Sequence, residues 1–220
     1  MTAMNIALGM ILGPEPDDLV LAWFQHHASF FQRIYVAVDD RPDSNDALNI
    51  VKRWEHPGLV VFRRGLQGDF AAQRNAVAKR LAEDWLLMLD ADERLDTDAM
   101  SILPEVLNKT LKNNPGMRVV GMSRRNLIDG VDTGVWPDWQ FRLVIRGVRW
   151  RNTSPSLDAS PGCHEFPLET HDNPDSVMLL PNIVIKHSKS SIRHLQRNKM
   201  YSAISSGRYR PLGPGPEMSE

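Results

Sequence analysis

Residues 85–94 read WLLMLDADER, and the centre of the fold can be argued from this stretch. Five apolar residues in a row are too few for a helix and show no polar alternation, which is typical of a parallel strand covered by helices on both faces. Such a strand lies inside its sheet. Asp90, Asp92 and Glu93 follow it at once. Because ligands of open α/β sheets bind beyond the carboxyl ends of the strands, we predict these acids at the mouth of a crevice.

Three carboxylates so close together need a compensating cation. Two like charges about 4 Å apart repel by roughly 4 kcal/mol at an effective dielectric constant near 20. Mg²⁺ and Mn²⁺ prefer oxygen ligands, and Mg²⁺ usually binds one or two carboxylates together with substrate phosphates. The cluster therefore indicates a metal-bridged diphosphate. The alternative is a solvated acidic turn that stabilises the start of the next helix.

The composition predicts one domain. Of the 220 residues, 42% are apolar and 24% charged, which suits one core and is short for two. The single cysteine excludes an internal disulfide. No run approaches the roughly 18 uncharged apolar residues of a membrane span, and no signal peptide is recognisable. We expect a cytoplasmic protein, with peripheral association at a membrane left open.

The charge is unevenly spread along the chain. Residues 118–220 carry fourteen Lys/Arg against ten Asp/Glu, although the whole chain has a net charge of −1. A mildly basic second half suits an anionic substrate or polymer, and it equally suits an ordinary solvated surface.

Strands and helices alternate in the first half of the chain. Apolar runs predict strands over 5–12, 33–38 and 59–62, and helical spacing predicts helices over 16–28, 47–54 and 69–83, the last capped by Asp69. This order favours a parallel sheet with right-handed crossovers.

The pattern changes after a further helix that ends near Lys112. Segments rich in β-formers follow over 117–127, 136–145 and 148–150 without helices between them, which favours antiparallel or mixed pairing. Residues 152–174 suit a functional or disordered loop. We then predict a strand over 177–185 and a basic helix over 190–206, and a disordered tail from Arg208.

Four motifs occur in an order that resembles the family 2 glycosyltransferases of GT-A fold, particularly small bacterial members that extend lipopolysaccharide or glycan cores. They are Val38-Asp39 with Ser44-x-Asp46, Asp69-Phe70-x-x-x-Arg74-Asn75, Leu89-Asp90-Ala91-Asp92-Glu93, and Gln140-Phe141-Arg142-Leu143 followed by His164-Glu165. A looser match is Ile185-Lys186-His187-Ser188. The chain differs from the family after the first strand, where Pro14-Glu15 stands in place of Asn-Glu.

The resemblance implies a Rossmann-like α/β domain over 1–207, with a central, mostly parallel mixed sheet flanked by helices. Residues 1–116 would bind the nucleotide sugar and 117–207 the acceptor, with 208–220 as a tail. The implied reaction is metal-dependent, inverting transfer from a nucleotide-diphosphate sugar, with UDP-sugar expected, to an acceptor hydroxyl. Asp39 and Asp46 would contact the base and ribose, Asp90 the ribose, and Arg74 the phosphates.

The resemblance also implies the remaining site residues. Asp92 would hold Mn²⁺ or Mg²⁺, with His187 as a further metal contact, and the metal would stabilise the departing diphosphate. Glu165 would be the general base that accepts the proton of the acceptor hydroxyl. The candidates for acceptor binding are Trp139, Gln140, Arg142 and His164. Trp136, Trp139 and Trp150 are predicted either to form a stacking platform or to belong to the core.

Three other interpretations remain open. A haloacid dehalogenase-like phosphotransferase also has an apolar strand followed by D-x-D, but there the motif follows the first strand. A sugar nucleotidyltransferase would need a glycine-rich N-terminal loop with a basic residue, which this chain lacks. A catalytically degenerate nucleotide-binding or scaffolding module is the non-enzymatic alternative. The acceptor is open among a glycan, a lipid-linked sugar such as a lipopolysaccharide core, and modified nucleic acid.

Overall fold

A mixed β-sheet with helices on both faces carries the fold. The computed structural model describes residues 5–152 and 165–205. The strands are β1 (Ile6–Leu12), β2 (Ile34–Val38), β3 (Leu59–Arg63), β4 (Trp85–Met88), β5 (Glu93–Leu95), β6 (Val119–Ile128), β7 (Val131–Asp132), β8 (Asp138–Ile145), β9 (Trp150–Asn152), β10 (Glu165–Pro167) and β11 (Val177–Lys189). The helices are α1 (Asp17–His27), α2 (Asn45–Arg53), α3 (Phe70–Ala78), α4 (Thr97–Asn113), α5 (Glu169–Asp172) and α6 (Ser191–Ser205).

The predicted central strand is confirmed. Within the described chain the main sheet has the order β3-β2-β1-β4-β8-β6-β11-β5, with β7 added to β6. Strands β3, β2, β1 and β4 are parallel, β8 runs antiparallel to both β4 and β6, and β11 is parallel to β6. The chain leaves β1 to one side and returns on the other as β4, which opens a crevice at the carboxyl ends of these two strands. This arrangement is consistent with the GT-A, Rossmann-like α/β fold expected from the sequence.

The uninterrupted apolar run of β4 is explained by two cores, one on each face of the sheet. Trp85 and Leu87 pack in the core that α1 and α4 cover, whereas Leu86 and Met88 pack in the core that α3 covers. Successive residues of a strand point to opposite faces. In a strand that is covered on both sides every side chain is therefore buried, which favours apolar residues at each position. No helix in the described part of the chain is long and apolar enough to cross a membrane.

Helix α3 is shorter than the sequence-based expectation. The helix predicted over 69–83 ends at Ala78, because the chain tightens into turns in which Arg80 N donates to Val77 O and Leu81 N to Ala78 O. Asp69 caps this helix as predicted, accepting a hydrogen bond from Ala72 N at 2.8 Å.

The segment predicted as one long loop over 152–174 is only partly a loop. Its described end contains β10, which pairs antiparallel with β9 to form a separate two-stranded ribbon, and then α5. The predicted last strand extends beyond residue 185 to Lys189. Residues 153–164 and the predicted tail lie outside the described residues.

Strand β5 was not expected, and it decides where the acids lie. Its three residues pair antiparallel with β11, so that His187 lies opposite Glu93 and Ile185 opposite Leu95. The acidic turn after β4 is thereby tied to the last strand of the sheet. A histidine about one hundred residues along the chain is in this way brought beside Asp92.

A buried histidine joins α1 to β5. The His27 ring lies within the core, where Nδ1 is 2.9 Å from Trp23 O and Leu95 N donates to Nε2 at 3.4 Å. Both contacts suit a neutral ring with its proton on Nδ1. Burial lowers the pKa of His27 to about 3, and the nearby His26 and Arg94 add to this effect, against the hydrogen bond to Trp23 O.

We expect this histidine to make the fold sensitive to acid. In the unfolded chain His27 takes up a proton near the ordinary histidine pKa of 6.5, whereas the folded chain resists protonation down to a pKa of about 3. Stability should therefore be lost as the pH falls from 6.5 towards 3, by up to about 1.4 kcal/mol per pH unit from this group. Urea unfolding of wild type and H27Q between about pH 7 and pH 4 measures the difference. Equal pH slopes in the two proteins would contradict the assignment.

Candidate functional site

A cavity of about 510 Å³ lies at the carboxyl ends of β1, β2 and β4. Side chains from β8, β10, β11 and α6 complete its walls. Eight of the predicted site residues line it, namely Asp39, Arg74, Asp90, Trp139, Gln140, Arg142, Glu165 and His187. The structure thus brings together residues that the sequence separates by about 150 positions.

Two other predicted site residues do not line this cavity. Asp92 is fully buried beside the cavity wall, next to His187. Asp46 is exposed on the first turn of α2 and is not among the residues that line the cavity. The prediction for His164 falls outside the described residues.

Arginines balance most of the negative charge that the sequence attributed to a cation. Arg74 Nε donates to Glu165 Oε1 at 2.5 Å, and its Nη2 donates to Asp90 Oδ1 at 2.9 Å. Arg142 Nη2 donates to Asp90 Oδ2 at 2.9 Å and to Glu93 Oε1 at 2.8 Å. The acids after β4 are therefore held in an ion-pair network with α3, β8 and β10.

The charge state of this network follows from its burial. Burial alone would lower the pKa of Arg142, but the carboxylates of Asp90, Glu93 and Glu165 raise it above its usual value. The guanidinium therefore stays charged. Glu93 is fully buried, and its second oxygen accepts a hydrogen bond from Asp90 N at 3.0 Å, which fixes the turn on which Asp90 and Asp92 stand.

Asp92 and His187 face each other in a geometry that suits a divalent cation. His187 Nε2 lies 3.3 Å from Asp92 Oδ2, and both side chains are almost completely buried. Two adjacent ligands of an octahedral Mg²⁺ at about 2.0–2.1 Å are about 3 Å apart, so the pair fits such an ion. Within the described residues no group of three or more His, Cys, Asp or Glu could hold a metal. Among the described residues, Asp92 and His187 would therefore be the two ligands.

A carboxylate that the sequence did not single out, Asp138, also lines the cavity. Burial alone would raise its pKa, but hydrogen bonds from Asn126, Arg124 and Gln140 and the charge of Arg124 lower it below the usual value. Asp138 therefore remains ionised and is a weak proton acceptor.

At the far end of the cavity, Asp39 is positioned by its neighbours. Its Oδ1 accepts a hydrogen bond from Leu66 N at 3.0 Å, and Arg41 Nε donates to Oδ2. Asp39 and Arg41 together present both acceptor and donor atoms at this end. Glu15, the second residue of the Pro14-Glu15 pair after β1, forms an ion pair with Arg193 of α6 at the cavity wall.

The sequence left open whether Trp136, Trp139 and Trp150 form a stacking platform or belong to the core, and the three rings lie in different environments. Trp150 is buried in the core beneath α3, at 3% exposure. Trp136 is 48% exposed, with the Arg125 guanidinium 5.0 Å from its ring centre. Only Trp139 lines the cavity.

The ribbon that carries Glu165 is held by Asn75, to which the sequence gave no role, and by Asp69, which was predicted only as a helix cap. Asn75 Nδ2 donates to Trp150 O and Trp150 N donates to Asn75 Oδ1, both at 2.8 Å. Asn152 Nδ2 donates to Asp69 Oδ1 at 2.9 Å. Helix α3 is thereby bonded to β9, whose partner β10 begins with Glu165. The signal was present in the motif that contains Asp69 and Asn75, but their partners are about 75 residues away.

Neither a protein-family model nor a curated protein sequence matches the chain. Among solved structures, it is similar to S. aureus TarS 1-349, with a TM-score of 0.42 and 15% identity over 56% of this chain and 36% of that one. It is also similar to TarS 1-349 in complex with UDP-GlcNAc, with a TM-score of 0.42 and 13% identity over 56% of this chain and 35% of that one. The chain thus spans about a third of these neighbours, and a likeness of this size carries no argument about activity.

We expect Asn75 to control the rigidity of the β9–β10 ribbon. N75A leaves the partly buried N–H and C=O of Trp150 without their partners, which should cost about 1–3 kcal/mol of stability. Backbone amides of Glu165 and Phe166 should exchange faster with solvent in N75A than in wild type. Hydrogen-exchange mass spectrometry and urea unfolding measure both effects. N75D keeps an acceptor for Trp150 N and should be intermediate, and unchanged exchange at Glu165 and Phe166 in N75A would contradict this role.

Proposed function

We propose that this protein is a glycosyltransferase that moves a sugar from a nucleotide-diphosphate sugar, with UDP-sugar as the expected donor, to an acceptor hydroxyl. The observation that carries the proposal is the 3.3 Å approach of Asp92 Oδ2 to His187 Nε2 beside a cavity with buried guanidinium groups. A cation between two acceptor atoms, with arginines close by, suits a diphosphate. The ordered motifs of the sequence point to the same class of reaction.

The donor would lie along the carboxyl ends of the strands. Asp39 and Arg41 would contact the base or ribose, and Asp90 the ribose. Arg74 would contact the diphosphate through Nη1. Its Nε and Nη2 donate to Glu165 and Asp90, whereas Nη1 is buried without a hydrogen-bond partner among the described residues. Asp46 has no part in this arrangement, because it is exposed outside the cavity.

Asp92 and His187 would hold Mn²⁺ or Mg²⁺, and the remaining ligands would come from the diphosphate and water. When bound, the cation would stabilise the negative charge of the departing nucleoside diphosphate. Because only two ligands come from the part of the chain that the structure describes, we infer that cation and nucleotide bind together rather than independently.

Glu165 would act as the general base. An acceptor oxygen attacks the anomeric carbon, the bond from that carbon to the diphosphate oxygen breaks, and the hydroxyl proton passes to the Glu165 carboxylate. Attack from the side opposite to the leaving group inverts the anomeric centre. Asp138 is the other carboxylate on this side of the cavity, and its lowered pKa makes it the weaker candidate.

The acceptor would approach along β8, where Trp139, Gln140 and Arg142 line the cavity. An aromatic ring beside an amide suits a sugar, because the ring packs on the apolar face and the amide bonds hydroxyls. A glycan, a lipid-linked sugar and modified nucleic acid all present such hydroxyls.

One observation favours a second candidate function. Glu165 forms an ion pair with Arg74, which also suits a purely structural carboxylate. A nucleotide-binding module without transferase activity would need Asp92 and Arg74 but not a base. Substitution of Glu165 separates the two functions.

We expect Asp92 to couple cation and nucleotide binding. In wild type, UDP should bind at least about tenfold more tightly with Mn²⁺ than with EDTA, which is about 1.4 kcal/mol. D92N should lose this difference because the cation loses its carboxylate. Isothermal titration calorimetry of UDP with and without Mn²⁺ measures it. D98N, the same substitution at an exposed position on α4, should behave as wild type, and Mn²⁺-independent binding of UDP by wild type would exclude the cation site.

We expect Glu165 to be needed for transfer but not for donor binding. E165Q should retain UDP and Mn²⁺ affinity within a few-fold and lower kcat by about 10²- to 10⁴-fold, the usual contribution of a general base. A panel of UDP-sugars with steady-state transfer or hydrolysis assays identifies the donor and measures kcat. E169Q changes a nearby glutamate outside the cavity and is the matched control. Full transfer activity in E165Q would remove Glu165 as the base.

A further inference from the structure

We propose that Asn126 is a positioning residue that determines which nitrogen of His187 carries the proton, so that Nε2 is presented to a divalent cation at Asp92. The inference rests on the proposed cation site and adds the residue that orients one of its two ligands. Asn126 lies on β6, directly opposite His187 in the parallel pairing of β6 with β11. Asparagine is disfavoured inside strands, so its presence there indicates that the side chain makes a specific interaction.

The orientation of the Asn126 amide follows from Asp138. An ionised carboxylate can only accept hydrogen bonds. Asp138 accepts from Asn126 Nδ2 at 2.7 Å, from Arg124 Nε at 2.9 Å and from Gln140 Nε2 at 2.9 Å. The NH₂ group of Asn126 must therefore face Asp138, which leaves its oxygen to face His187.

The orientation of the amide in turn fixes the histidine. Asn126 Oδ1 lies 2.7 Å from His187 Nδ1, and an amide oxygen is only an acceptor. Nδ1 must therefore carry the proton and donate it. In the neutral ring Nε2 then has a lone pair, as a metal-binding histidine requires.

This lone pair faces a carboxylate. His187 Nε2 lies 3.3 Å from Asp92 Oδ2, so two acceptor atoms meet in a buried place. A positive charge between these two atoms, either a proton or a metal ion, makes such a contact favourable. The Arg94 guanidinium is a further positive charge that acts on Asp92. A charge-assisted N–H···O bond is usually about 2.7–2.9 Å long, whereas adjacent ligands of an octahedral ion lie about 3 Å apart. The separation favours the metal.

Each residue in the series Arg124, Asp138, Asn126, His187 therefore orients the next one, and the series ends at Asp92. Arg124 and Gln140 hold Asp138, Asp138 orients the amide, and the amide orients the ring. Arg124, Asp138 and Asn126 do not contact the cation themselves. Groups that orient a metal ligand in this way typically contribute about 10- to 100-fold to metal affinity.

The test uses Mn²⁺ in the presence of UDP and needs no turnover. Mn²⁺ affinity is measured by calorimetry, and ligation by the histidine is read from the nitrogen coupling in pulsed electron paramagnetic resonance of the bound Mn²⁺. Wild type should show this coupling. N126L, which replaces the amide by an apolar group of similar size, should bind Mn²⁺ about 10- to 100-fold more weakly and lose the coupling. N126S removes the same acceptor with a smaller side chain and serves if N126L fails to fold.

Two further variants separate positioning from a general structural effect. N126D/D138N exchanges the carboxylate and the amide at constant charge, restores an acceptor opposite Nδ1, and should recover affinity and coupling. N45L is the same substitution on α2, where Asn45 bonds the exposed Arg63, and should leave both readouts unchanged. Loss that the exchange variant does not recover would overturn the role of the amide.

The outcomes distinguish this inference from the proposed function. If wild type binds Mn²⁺ with UDP but shows no nitrogen coupling, or if N126L retains both, the inference about Asn126 and His187 is wrong and the donor site stands. If wild type binds UDP without any effect of Mn²⁺, the proposed cation site fails and the inference fails with it.

Discussion

Buried negative charge at the end of β4 is the constraint on which the rest of the site depends. The strand is covered on both faces, and the acids that follow it have little access to solvent. Asp92 and Glu93 are buried, and the Asp90 side chain is 20% exposed. A buried charge that loses its partner typically costs about 3–5 kcal/mol. Two arginines from different elements, Arg74 of α3 and Arg142 of β8, compensate this charge by forming ion pairs with the two oxygens of Asp90.

The same constraint explains why an antiparallel strand lies beside β4. Arg142 reaches Asp90 and Glu93 because β8 pairs directly with β4, with Leu143 opposite Leu87. Strand β5 then ties the acidic turn to β11 and brings His187 to Asp92. The site is therefore assembled from the second half of the chain onto acids supplied by the first half, which accounts for the single sheet that both halves share.

Sequence reasoning recovered what local patterns specify. The continuous apolar run predicted β4 and its place inside the sheet, because burial on both faces removes polar alternation. The acids that follow this run predicted a crevice at the carboxyl ends of the strands, and Asp90 lines the cavity found there. The three-residue strand β5, the ribbon of β9 and β10, and the early end of α3 were missed. Each depends on pairing or turns that a few residues do not encode, as when Asn75 bonds a backbone about 75 positions away.

The charges were also harder to assign than the elements. The acidic cluster predicted a cation, and part of that compensation is supplied by arginines whose own positions are spread over the sequence. Asn126 has no charge and no motif, so only its place between Asp138 and His187 reveals its contacts. For Trp150 the sequence left a stacking platform and the core open, and the structure places the ring in the core.

Arg74 connects the two halves of the proposed chemistry. One guanidinium bonds Asp90, on the side where the donor would lie, and Glu165, on the side of the acceptor. The separation of these two carboxylates is therefore set by a single rigid, planar group rather than by two independent loops. Since well-oriented reacting groups can gain about 7–11 kcal/mol over separate ones, a shared arginine is an effective way to fix the direction of attack relative to the leaving group. Asn75, the next residue on the same helix, holds the ribbon that delivers Glu165, so one turn of α3 positions both the guanidinium and the carboxylate that it contacts.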